Sequence, residues 1–146
     1  MTPVGPVLAG DDGSPNDAPT PGTIRPVAPV DLPDGCLEAA RSADAKLGVD
    51  TVIMAMGELL GVTEAFVVTA GRNNRQVKTI VDAVEHGVKE GTGRSPLRVE
   101  GLRDQQWVLM DYGDFLVHVF LDETRDFYDL EHLWGNAPRV DWAEPA

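Results

Sequence analysis

The chain has 146 residues, 42% of them hydrophobic and a single one cysteine, which excludes a collagen-like, wholly disordered or disulfide-built protein. Twelve basic against 24 acidic residues leave a formal charge of −12, which argues against free nucleic acid or an anionic membrane as the main partner, since both are polyanions. No apolar run approaches the roughly 18 residues a membrane-crossing helix needs.

Residues 1–35 hold eight of the eleven prolines and five of the fifteen glycines, and no aromatic residue. Such a stretch buries too little apolar surface to offset its ordering entropy and reads as a disordered leader. It is acidic and lacks the basic segment, apolar core and cleavage site of a signal peptide. The folded domain is expected over residues 36–142, with a short tail at 143–146. Cys36 has no second cysteine to pair with, which fits a reducing cytosol and a cytoplasmic location. Beside Gly35, with no histidine near it in sequence, it reads as a small apolar residue and not as a nucleophile.

Leu37, Ala40, Ala43 and Leu47 recur at helical spacing, and Gly48 sits where such a helix stops. Thr51–Met56 is a short apolar run read as a strand, Gly57–Gly61 a turn region, and Ala65–Ala70 a second strand. The polar segment Arg72–Gln76 then opens an amphipathic helix. Its apolar face is Val77, Ile80, Val81, Val84 and Val88, its cap Asn73 or Asn74, and its end lies near Gly91 or Gly93. Pro96–Glu100, Gln106–Asp111 and Phe115–Leu121 read as three more strands, the last two joined by a hairpin turn at Asp111–Asp114. Phe127, Leu130, Leu133 and Trp134 predict a closing helix that starts at Asp122 or Glu123, where acids suit the first turn, and ends by Gly135 and Pro138. The order α, β, β, α, β, β, β, α predicts an α/β fold: a mixed sheet of about five strands flanked by helices. At least one right-handed βαβ unit and an antiparallel hairpin are expected within it.

Several residues carry candidate chemistry. His86, His118 and His132 have no zinc-ligand spacing. Period-two alternation puts His118 on one face with Leu116 and Phe120, either as a satisfied core histidine or as a polar contact on a sheet face. Asp111 and Asp114 flank the hairpin turn, either as magnesium ligands for phosphoryl transfer or as ordinary turn residues. No phosphate-cradling loop and no GxSxG motif accompanies them. Arg72 and Arg75 stand at a helix start, where cations oppose the helix dipole, and pairing with a carboxylate is expected ahead of phosphate binding. In the segment Trp107–Tyr112, Trp107, Leu109 and Asp111 share one face and Val108, Met110 and Tyr112 the other. A strand that is apolar on both faces is either doubly buried or half of an interface. Charge is also uneven. Residues 36–99 balance eight acids with eight bases, whereas 100–140 carry nine acids against three bases. That is either a solvated acidic surface or a face for a basic partner.

Four motifs, in order from about Leu37 to Val140, resemble the ribosomal silencing factors of the RsfS/Iojap family. They are Gly71-Arg72-Asn73-Asn74-Arg75-Gln76-Val77, Pro96-Leu97-Arg98-Val99-Glu100-Gly101, Trp107-Val108-Leu109-Met110-Asp111-Tyr112-Gly113-Asp114, and Val117-His118-Val119-Phe120 continuing through Phe127-Tyr128-Asp129-Leu130-Glu131-His132-Leu133-Trp134. The resemblance implies a nucleotidyltransferase-like mixed sheet without catalysis, cofactor or metal. It implies binding to the large ribosomal subunit at ribosomal protein uL-fourteen, which blocks joining of the small subunit. It assigns partner contact to Trp107, Leu109, Met110, Asp111 and Tyr112, and also to Asp114 and His118. A homodimer through an overlapping face is a further expectation. Two places depart from the family pattern: Thr63-Glu64-Ala65-Phe66 replaces Thr-Asp-Tyr-Phe, and Asn73-Asn74 replaces a Ser-Asp pair. Two rival readings are a metal-dependent nucleotidyl or phosphoryl transferase built on Asp111 and Asp114, and an adaptor for some other basic protein.

Overall fold

A computed structural model of the chain describes residues 32–56, 63–129 and 137–142. The elements run α1 (Cys36–Ala45), β1 (Val49–Ala55), β2 (Ala65–Gly71), α2 (Asn74–Thr92), β3 (Arg98–Glu100), β4 (Trp107–Asp111), β5 (Phe115–Leu121), α3 (Asp122–Tyr128) and β6 (Arg139–Val140). They form one six-stranded mixed sheet in the order β3-β4-β5-β2-β1-β6, in which β2 and β5 are parallel and every other neighbouring pair is antiparallel. This is the expected α/β class with one strand added. Two residues long, β6 carries no periodicity to read, and it is fixed by pairing Ile53 with Val140 and Met54 with Arg139.

Register sorts the side chains into two faces. Val99, Met110, Val117, Val67, Ile53 and Val140 stand in one row across the sheet. They join the main core with Val77, Ile80, Val81, Val84 and Val88 of α2 and Cys36, Ala39, Ala40 and Ala43 of α1. The opposite face carries Leu109, His118, Val68 and Val52 in one row and Trp107, Phe120 and Ala70 in the next. A second, smaller core of Met54, Met56, Phe66, Val68, Ala70, Phe120 and Ala137 forms there, with Trp107 and Leu116 packed against it. The central strand β2 is buried at all seven positions, so its parallel neighbour must be apolar on both faces. The seven-residue β5 meets that need, whereas the three-residue, largely exposed β3 does not. The strand that returns parallel to β2 after α2 is therefore β5, and β3 extends the sheet as an edge.

Helix ends follow local chemistry. Of the two asparagines, Asn73 is the cap: its Oδ1 accepts from the Gln76 amide at 2.8 Å, while Gln76 Oε1 accepts from the Arg72 amide at 2.7 Å. Gly93 ends α2 in the left-handed conformation. α1 packs closely on α2, because a Cβ at Gly87 would collide with the Ser42 side chain and one at Gly91 would crowd Glu38. Leu47, expected on the buried face of α1, is instead 78% exposed, because α1 ends at Ala45 and the chain turns through Leu47 with φ 65°. α3 is shorter than its apolar spacing predicts. Asp129, with φ 50°, closes it after Tyr128, and Phe127 is exposed. Leu130, His132, Leu133 and Trp134 lie outside the described residues, as do the Gly57–Gly61 turn, residues 1–31 of the leader and the tail 143–146.

Four residues assigned to the leader belong to the fold. Leu32 packs against the main core, the Pro33 carbonyl accepts from the Cys36 amide at 3.1 Å, and the Asp34 carbonyl accepts from Arg94 at 2.6 Å. At the other end Trp142 Nε1 donates to the Thr51 carbonyl at 3.1 Å. Arg125 of α3 donates to the Val49 and Asp50 carbonyls at 2.6 and 2.7 Å, bracing the irregular start of β1.

Candidate functional site

The expected contact residues sit on the β4–β5 ribbon, and strand alternation divides them. Trp107, Leu109 and Asp111 are each partly exposed and point to the face that α1 and α2 leave uncovered. Met110 and Tyr112 point the other way. Met110 has no exposed surface and Tyr112 has 2%, both within the main core, and the Tyr112 ring stacks on Phe115 at 4.6 Å. The side chains of Met110 and Tyr112, expected at the partner, are thus occupied in packing beneath the strip. Burial pushes the Tyr112 phenol up to about 12, with Glu85 adding to the rise and Arg94 opposing it. Its hydroxyl has no hydrogen-bond partner among the described residues.

Trp107 is held from two sides. Its ring stacks on Phe120 at 5.0 Å, and its Nε1 donates to His118 Nδ1 at 3.0 Å. Because Nδ1 accepts, the neutral imidazole carries its proton on Nε2, and that nitrogen is buried without a partner among the described residues. His118 is 5% exposed and meets Phe66 edge-on at 4.6 Å. Burial lowers its pKa from 6.5 to about 3. His118 is therefore a core histidine that uses one nitrogen to orient Trp107.

Asp111 and Asp114 perform turn chemistry. Asp111 Oδ1 accepts from the Gly113 amide at 2.8 Å, its Oδ2 lies 3.4 Å from Arg98 Nη2, and Asp114 pairs with Arg94 at 2.9 Å. Arg94 and Arg98 are the partners of these carboxylates that sequence reasoning missed. Each lies more than ten positions from its carboxylate, and no spacing rule links them. Among the described residues no cluster of three or more His, Cys, Asp or Glu side chains is placed to hold a metal ion. Arg72 and Arg75, expected in an ion pair, make none among the described residues. Cys36 is fully buried, and its thiol is pushed up to about 12 by burial, then by Asp114 and Glu38, which suits packing and not nucleophilic attack.

The family model for "Ribosomal silencing factor during starvation" matches residues 29–146. The chain belongs to the ribosomal silencing factor family. A Bacillus subtilis ribosomal silencing factor is 35% identical over 103 residues, 70% of this chain and 86% of its own. One from Chromobacterium violaceum is 39% identical over 88 residues, 60% of this chain and 71% of its own. Among solved structures, a Chromobacterium violaceum protein superposes with a TM-score of 0.63 at 33% identity, covering 74% of this chain and 84% of that one. The silencing-factor match begins at residue 29, which agrees with Leu32 packing against the main core and the Asp34 carbonyl accepting from Arg94. No helix among the described residues is long and apolar enough to cross a membrane.

Proposed function

We propose that this chain represses translation in the cytoplasm by binding the large ribosomal subunit at ribosomal protein uL-fourteen, where its bulk excludes the small subunit. The observation that carries the reading is family membership combined with one accessible strip, Trp107–Leu109–Asp111, on the sheet face left uncovered by α1 and α2. Steric exclusion makes and breaks no bond, so it asks nothing of a nucleophile or a metal. In this reading Trp107 and Leu109 supply the central contact, as large apolar anchors do in interfaces. Met110 and Tyr112 support the strip from beneath, His118 sets the indole, and Asp114 shapes the turn. The excess of acids over residues 100–140 attracts a basic protein and is repelled by surrounding rRNA phosphate, which favours the protein contact. A homodimer using the same strip would compete with docking, and light scattering at several concentrations measures it.

The test is cosedimentation with purified large subunits alongside a subunit-joining assay. Trp107→Ala and Leu109→Ala are expected to weaken binding by roughly tenfold or more each, the scale of an interface anchor, and to restore joining. Circular dichroism must show the fold retained. Failure of the unaltered protein to travel with the large subunit overturns the proposal.

A further inference from the structure

The Arg94 guanidinium sits where three separate segments of chain meet. Nη2 donates to the Tyr112 carbonyl at 2.7 Å and to Asp114 Oδ1 at 2.9 Å. Nη1 donates to the Asp34 carbonyl at 2.6 Å and lies 3.4 Å from Asp114 Oδ2. The same group lies over the rings of Phe115 and Tyr112, 5.5 and 5.9 Å from their centroids. Both rings belong to the core on the helical side of the sheet, away from Trp107 and Leu109. Arg94 therefore does not belong to the strip, yet it grips the turn in which the strip ends.

At its start the turn is held by β3, where Leu97 donates its amide to the Asp111 carbonyl at 2.6 Å, and beyond that by single hydrogen bonds. Tyr112 donates its amide to the Phe115 carbonyl at 3.0 Å, Gly113 donates to Asp111, and the Asp114 carbonyl accepts from Glu64 at 2.8 Å. Gly113 itself is left-handed, with φ 92°. The Arg94–Asp114 pair is about a third exposed on both sides, so its Coulomb attraction is largely screened by solvent. What remains is geometric: a planar fork of five donors satisfies two carbonyls and both oxygens of one carboxylate together, which a lysine ammonium cannot reproduce.

We propose that Arg94 is a positioning residue for docking, clamping the Asp111–Phe115 turn to the Leu32–Gly35 segment so that the Trp107–Leu109–Asp111 strip keeps its shape before a partner arrives. The proposal rests on the reading that this strip docks on the large subunit. Loosening the turn weakens the bond from Gly113 to the Asp111 carboxylate and loosens the end of the ribbon that sets Leu109 opposite His118, although Asp111 keeps its contacts with Leu97 and Arg98. A partner would then have to order the turn as it binds, which lowers affinity.

The experiment compares the full chain with Arg94→Lys, Arg94→Gln and Asp114→Asn, using amide hydrogen exchange on the free proteins and cosedimentation with purified large subunits. Exchange at the turn's bonded amides, Tyr112, Gly113 and Glu64, is expected to quicken about tenfold in Arg94→Gln and Asp114→Asn, the scale of one charge-assisted hydrogen bond, and by less in Arg94→Lys. Amides of Val81 and Val84 in α2 should not change, whereas a general loss of stability would quicken them together with the turn. Large-subunit affinity should fall in the same order as turn protection. Unchanged exchange at the turn, parallel acceleration throughout α2, or a faster turn with undiminished binding overturns the proposal. If the unaltered protein fails to bind, the docking reading fails by itself, and the proposed role of Arg94 in docking fails with it, whatever the exchange data say about the clamp.

Discussion

Replacing His118 with glutamine removes a buried titrating group while keeping a side-chain oxygen able to accept from Trp107. The native imidazole is surrounded by Phe66, Trp107, Phe120, Val68 and Leu109, with Glu100 the nearest acid in its row, across Leu109. Burial lowers its pKa from 6.5 to about 3. Between those values the unfolded chain binds a proton that the folded chain refuses. The associated stability is fully present above pH 6.5 and is lost as pH falls towards 3. For a depression of this size, the loss between pH 7.5 and pH 5 is about 2 kcal/mol. Other groups titrate in both proteins and cancel in the difference. Urea unfolding at the two pH values should therefore show wild type losing about 2 kcal/mol more than His118→Gln, visible as a converging pair of stability curves. Equal losses would mean that His118 is protonated within the fold or hydrated on Nε2, and would refute its role as a dry, neutral acceptor for Trp107.

Gly101→Ala should destabilise by about 1–3 kcal/mol, because the backbone there is left-handed at φ 89° and a Cβ would press on the Trp107 carbonyl; thermal unfolding reads the cost. Met110→Ala should cost about 2–5 kcal/mol as a core truncation, measured by denaturant unfolding, and a cost near zero would place Met110 on the surface instead. Removing residues 1–35 should lower the melting temperature by several degrees, because the cut deletes the Leu32 packing and the Asp34 acceptor of Arg94, worth about 1 kcal/mol or more together.

Eight elements were readable in order because each carries a period or a cap. Val77 to Val88 mark one helix face, and the alternation from Phe115 to Leu121 gives that strand its limits. The hairpin turn at Asp111–Asp114 also fixes the register, since pairing Asp111 with Leu116 forces Leu109 onto His118 and Trp107 onto Phe120. The Trp107–His118 hydrogen bond was thus within reach of sequence reasoning. Its neighbours were not. β6 is two residues long, and its place depends on which edge of β1 remains open. The exposure of Leu47 depends on where α1 stops, which Gln76 helps to decide by donating to the Lys46 and Leu47 carbonyls from the start of α2. Met110 and Tyr112 shared a motif with Trp107 and Leu109, and a motif does not say which face a helix will cover. The grip of Arg94 on Tyr112 and Asp114 spans 18 and 20 positions, beyond any local rule.

The parallel pairing of β2 with β5 has a consequence for how the protein is made. Ala65 meets Phe115 and Gly71 meets Leu121, with α2, β3 and β4 intervening in the chain. The β4–β5 ribbon is a local hairpin that forms within about 1–10 μs, but the sheet it completes needs a distant contact and forms far more slowly. During that interval Trp107, Leu116 and Phe120 are presented without Phe66 and Val68 beneath them. The surface proposed here for docking is then a sticky one, and the closing of β2 on β5 ends its exposure as an aggregation hazard.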